Sequence, residues 1–247
     1  MNNFMAAYID ELIKMSKKKK ITAALILSIS VIVVAAVLIC TLSSFMGMNL
    51  TGRSEFSLTV LPVMVNAVIP LFIVFAAIDM FCSEYSAGTI KITLLNPVSR
   101  VKIYTAKLAS LMTFAAAMLV FSMVASFIVG VLIRHTDFAV FKILASYAVS
   151  LFPLLVIAAL ASLIANITKG SGSSFMLCLI VYIAVKVFEL LNPQLASFFF
   201  TSGMSIYVLL NAPLISFAKL MRMILIDLGF AVMLFAAGYA LFENKEI

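Results

Sequence analysis

An all-α, polytopic membrane protein with six transmembrane helices is the fold class this sequence predicts, on three observations. First, hydrophobic residues fill 65% of 247 positions and charged residues only 11%, with a mean hydropathy of +1.23. A soluble domain carries about 25% charged residues to hydrate its surface, which this chain cannot do. Second, apolar runs occupy 21–44, 61–82, 101–133 (continuously apolar from Leu108), 141–167, 173–191 and 220–242. A helix needs roughly 20 apolar residues to cross a hydrocarbon core about 30 Å thick. None of the runs alternates with period two, which argues against a transmembrane barrel, and lipid offers no partner to an unpaired backbone group, which favours helices. Third, with the N-terminus inside, eleven Lys and Arg fall in inner segments, five in outer segments, and Lys186 within a span. That asymmetry satisfies the positive-inside rule and places both termini in the cytoplasm. The chain reads as one transmembrane domain.

Residues 2–16 read as an amphipathic helix. Phe4, Met5, Tyr8, Ile9, Leu12 and Ile13 recur at helical spacing, with Asn3, Asp10, Glu11 and Lys14 on the other side. Such a helix lies in the headgroup plane with Lys17, Lys18, Lys19 and Lys20 against lipid phosphates. A frayed tail is the plainer alternative, and a stripe kept over three turns favours the helix. The net charge of +7 then reads as a topology signal plus attraction to anionic lipid. The basic residues form no aromatic-interleaved patch, so no nucleic acid is expected. The first apolar run is 24 residues long, beyond the 7–15 of a signal peptide. Bulky Val37, Leu38 and Ile39 before Cys40 disfavour lipoprotein processing, so this run is expected to be a retained helix. Cys40, Cys82 and Cys178 show no metal spacing and read as small buried hydrophobes.

The outer connections at 47–60 and 134–140 are short, but 192–218 differs. It contains Pro193 and Pro213, yet also Phe198, Phe199, Phe200 and the apolar stretch 206–210. It is too short to span and too apolar for a solvated loop, so a re-entrant or interfacial segment is expected, serving as a gate or as a plug. Within the spans, Ser122, Ser126 and Gly130 repeat every four residues, as do Ala158 with Ser162 and Ala161 with Ala165, which lets backbones approach closely.

Charges inside spans are costly and mark candidate sites. Lys186 and Glu189 share a face of the fifth helix, and Asp227 lies about two turns into the sixth. If those helices are neighbours, Lys186 and Asp227 can pair, either as a buried ion pair or as part of a substrate path. Asp79 sits near the inner end of the second span, within reach of lysines, and His135 is a lone loop residue. The sequence contains no His-Glu-x-x-His motif, no paired acidic motif in a helix and no Ser–His arrangement, so intramembrane enzyme chemistry has no residues to carry it.

Between the second and third spans lies the longest polar stretch, 83–107, on the inner side. Gly88 permits a tight turn where the chain leaves the second span. Pro97 suits the start of a following helix, with Ser99 as a cap. The pattern Glu84, Gly88, Thr89, Leu94, Pro97, Ser99, Arg100, followed by Lys107, resembles the signature of the type-2 ABC transporter permease family, bacterial exporter type. The N-terminal interfacial helix, the six spans and the apolar segment before the last span resemble that family over essentially the whole chain. The resemblance implies that 89–95 is a coupling helix docking on a soluble ABC ATPase, with Glu84 and Arg100 flanking it.

No Gly-x-x-x-x-Gly-Lys-[Ser/Thr] phosphate loop is present. By resemblance, this chain is not itself an enzyme and holds no cofactor, while ATP and Mg bind the partner subunit. Two ATPase copies and a second permease, identical or related, complete the assembly in a bacterial plasma membrane. The cargo expected is hydrophobic or amphipathic, such as a peptide, toxin or antibiotic. The alternatives are a secondary transporter or channel, or an ABC permease for lipid, glycan or sodium.

Overall fold

The computed structural model describes residues 3–46, 56–86, 99–133, 140–168, 170–192, 199–211 and 216–243. The described residues contain helices and no strand. In chain order the elements are α1 (Asn3–Ser16), α2 (Lys19–Met46), α3 (Phe56–Val63), a π-helical turn (Met64–Val68), α4 (Ile69–Ser86), α5 (Arg100–Ile133), α6 (Val140–Val149), α7 (Leu151–Ile167), α8 (Ser171–Leu191), the short α9 (Phe200–Gly203) and α10 (Ile206–Asn211), and α11 (Phe217–Glu243).

Six stretches are long and apolar enough to cross a membrane: Lys19–Thr41, Phe56–Cys82, Arg100–Leu132, Val140–Ile167, Ser171–Leu191 and Phe217–Glu243. They coincide with the six runs read from the sequence. The second and fourth form the core, with 56% and 61% of their apolar windows buried, against 11% for the fifth. The outer spans therefore expose wide apolar faces, such as Ile180, Ile183 and Leu190 on α8, as expected where lipid is the solvent. α7 packs along both α4 and α11, while α1 and α2 lie against α5. Close helix approach uses the small residues anticipated in the fourth span: Ala158, Ala161, Ser162 and Ala165 are all buried.

Two prolines shape the core. Pro70, at the start of α4, has no amide to give the Asn66 carbonyl four residues earlier. The helix widens there into the π turn, and the Tyr182 hydroxyl of α8 donates to the Asn66 carbonyl at 2.7 Å. Pro153 lies within the first turn of α7, where a missing amide is tolerated, and the fourth span breaks just before it at Ser150. Where α4, α7 and α8 converge, the Cys82 thiol lies 2.9 Å from the Ser174 hydroxyl and donates to the Ala165 carbonyl at 3.2 Å. The sequence placed this cysteine as a small buried hydrophobe; it also ties three helices together by polar contact.

Candidate functional site

Two polar clusters at opposite ends of the bundle, and an apolar cavity between them, hold the candidate chemistry. At the α1 end stand the two roots of the polar stretch, α4 closing at Ser86 and α5 opening at Arg100. Ser99 occupies the position before α5, and its carbonyl accepts the Ile103 amide at 3.2 Å. The Arg100 guanidinium donates to the Glu243 carbonyl, fastening the start of α5 to the end of α11. Gly88, Thr89, Leu94 and Pro97, and the side chain of Glu84, lie outside the described residues.

One turn into α5, Tyr104 is buried beside Phe81, Phe235, Tyr239 and Phe242, and its hydroxyl lies 2.9 Å from that of Ser162 on α7. A Cβ at Gly238 would run into that hydroxyl, so the glycine of α11 leaves the room that the tip of the Tyr104 ring occupies. One more turn along is Lys107, an ammonium with 0% of its side chain exposed. It reaches Glu11 of α1 at 3.1 Å and the Met80 carbonyl of α4 at 3.2 Å, and sits 5.7 Å from the Phe81 ring. Lys14 approaches the same Glu11 oxygen at 3.3 Å.

Alongside, Asp79 of α4 receives Lys20 at 2.7 Å and Lys18 at 3.8 Å. Two of the four lysines expected against lipid phosphate thus converge on a carboxylate, whereas Lys17 and Lys19 are exposed. α1 keeps its apolar stripe outward at Met5, Ile9 and Ile13, but Glu11 of its polar side turns into the protein. Helical spacing showed that Glu11 lies off the stripe. It could not show that a lysine 96 residues away would meet it.

At the other end, the short helix α9 stands between the charges expected to pair. Lys186 of α8 holds Glu189 at 3.3 Å and the Thr201 carbonyl of α9 at 3.3 Å. Across α9, the Asp227 carboxylate of α11 lies against Gly203, where a Cβ would strike both its oxygens. Asp227 is 2% exposed, and neither oxygen has a hydrogen-bond partner among the described residues. Lys186 and Asp227 therefore do not form the direct pair that neighbouring helices would have allowed. Phe200, Thr201, Ser202 and Gly203 are all buried, so α9 packs into the bundle.

Between the clusters, a cavity of about 250 Å³ opens between the second and fifth spans. Its walls are apolar, with Pro70, Leu71, Phe175 and Cys178 among them, and Phe200 of α9 reaches into its lining. The polar groups there are Asn66 and the Tyr182 hydroxyl, already engaged with each other through the π turn. Such a cavity fits an apolar guest with little polar character. No group of three or more His, Cys, Asp or Glu suited to a metal occurs among the described residues.

No curated protein matches the chain. The family model described as ABC-2 family transporter protein matches residues 10–186, which takes in the second half of α1, the first four spans and most of the fifth. That stretch includes Glu11, Asp79, Lys107 and both roots of the polar segment, and the chain belongs to the ABC-2 transporter family as a permease subunit.

Proposed function

We propose that this chain is the permease subunit of an ATP-driven exporter moving a hydrophobic or amphipathic cargo out of a bacterial cell by alternating access. The cavity between the second and fifth spans carries the reading of the cargo: its walls are apolar, and the Tyr182 hydroxyl at its edge is spent on the Asn66 carbonyl. A peptide, toxin or antibiotic of amphipathic character suits such walls. ATP, with Mg, binds and is hydrolysed on a soluble ABC ATPase, two copies to a pair of permeases. The polar segment between α4 and α5 is the surface on which the ATPase presses. Both termini lie in the cytoplasm. The stretch 192–218 acts as a gate, because its α9 puts Phe200 into the lining of the cavity while packing against α7, α8 and α11.

Affinity purification in mild detergent tests the assembly. An ATP-binding subunit of roughly 25–35 kDa, the size of a single ATPase domain, is expected to follow the permease. In liposomes, amphipathic peptides are expected to stimulate its ATP hydrolysis. Loss of the companion together with silence toward every amphipathic peptide tried defeats this reading. Charge reversal at Glu84 or Arg100 is expected to separate ATP hydrolysis from transport while leaving membrane insertion intact.

A further inference from the structure

The geometry points to Lys107 as a positioning residue that locks α1 to both roots of the ATPase-facing segment, so that the three move as one lever. This rests on the proposed ATP-driven function. Lys107 lies seven residues into α5 from Arg100, and Met80 six residues before the end of α4 at Ser86. Each is about 10 Å from its root at 1.5 Å per residue. A push on the segment between the roots therefore acts on both helices at a depth where one ammonium joins them.

That ammonium has three donors to place. It gives one to the Met80 carbonyl and one to Glu11, with the face of Phe81 beside it. An ammonium with no exposure is costly in an apolar surround unless it is paired and hydrogen-bonded. Sliding α1 along α5, or α4 along α5, would strip it of a partner. An apolar contact at the same place would tolerate such sliding, because dispersion attraction has no fixed direction. The ion pair therefore fixes register. Asp79, one residue before Met80, takes Lys20 and Lys18 from the α1–α2 junction, so the start of the first span is drawn to the same lever.

The test uses the permease–ATPase complex in lipid nanodiscs, on a background with Cys40, Cys82 and Cys178 replaced by alanine. Spin labels at Ile13→Cys on α1 and Val101→Cys on α5, both exposed positions, report whether the two helices move together. In a separate protein, labelling of Ser202→Cys by a membrane-impermeant maleimide reports opening at α9, since Ser202 is buried in this state. With the Glu11–Lys107 pair intact, the Ile13–Val101 distance distribution is expected to stay narrow and unchanged between nucleotide-free and ADP–vanadate-trapped complexes. Ser202→Cys labelling is expected to rise on trapping.

The double variant Glu11→Leu/Lys107→Met keeps the fold, because a buried pair replaced by apolar side chains leaves no charge stranded. It is expected to broaden the distance distribution and to cut the trapping-dependent rise in labelling by about tenfold, a usual size for coupling between sites, while ATP hydrolysis continues. Lys107→Arg, which keeps the charge, is expected to retain both responses. A double variant with a narrow distribution and an undiminished labelling response overturns the assignment. If the unaltered pair gives no nucleotide response at Ser202→Cys, the ATP-driven reading fails instead. The nucleotide-free distance distributions still decide whether Lys107 locks α1 to α5.

Discussion

The two ends of the bundle treat buried charge in opposite ways. At the α1 end, among the described residues, buried Lys107 is matched with Glu11 and a backbone carbonyl, and the partly exposed Asp79 with two lysines. At the α9 end the Asp227 carboxylate is just as buried and has no hydrogen-bond partner among the described residues, while Lys186, on the other side of α9, spends its donors on Glu189 and the Thr201 carbonyl. A matched buried pair resists displacement because moving either member strands the other. An unmatched buried carboxylate raises the free energy of the state that buries it. The contrast predicts a stiffer α1 end and an α9 end that opens at lower cost. That division suits a device pushed at one end and opened at the other.

Substitutions can break or sharpen this contrast. The largest effect is expected from Lys107→Met alone, which leaves Glu11 buried with Lys14 as its remaining cation among the described residues. Stranding one member of a buried pair costs about 3–5 kcal/mol, and partial cover from Lys14 puts this variant near the lower end. It is measured as a lower melting midpoint by size-exclusion after heating in detergent. Gly203→Ala comes next. Its Cβ meets the Asp227 carboxylate, and overpacking of this kind costs about 1–3 kcal/mol. The loss is expected to vanish in a Gly203→Ala/Asp227→Ala double variant, because the obstructing atoms are then gone. A loss unchanged by the second substitution would place the strain elsewhere.

Asp227→Leu is expected to raise the melting midpoint, since an apolar side chain replaces a buried carboxylate that has no hydrogen-bond partner among the described residues and so carries a desolvation cost. A fall would mean that the carboxylate stabilises the closed arrangement. The smallest effect belongs to Asp79→Asn. Its partner Lys20 is more than half exposed, and pairs of that kind contribute about 0.2–1 kcal/mol. A small fall in the midpoint that shrinks further at high salt is the expected result.

Much of this architecture was legible in the sequence, for a physical reason. Lipid imposes length and apolarity on each span independently, so the runs at 21–44 and 220–242 announce themselves without reference to any neighbour. The polar stretch between α4 and α5 was visible by contrast with its surroundings, and Ser99 stands at the helix start its type favours. Contacts between distant segments were not legible. Lys107 reads as one more basic residue near a helix end, and Glu11 as the polar side of an amphipathic helix. Only the packing of α1 on α5 makes them partners. Lys186 and Asp227 read as a pair because opposite charges at similar depth attract. Four residues, Phe200 to Gly203, fold into the space between them instead. A helix of one turn has too few positions to show a period, so its presence there had no signature.

The measurement that bears most directly on the division of labour is hydrogen–deuterium exchange of the permease–ATPase complex, nucleotide-free and trapped with ADP–vanadate. Amides of 200–204 in and beside α9 are expected to exchange faster on trapping, while those of 11–16 in α1 and 103–108 in α5 keep their protection in both states. Faster exchange at 11–16 and 103–108 with α9 unchanged would contradict the account, because it would place the yielding element at the end where the buried charges are matched.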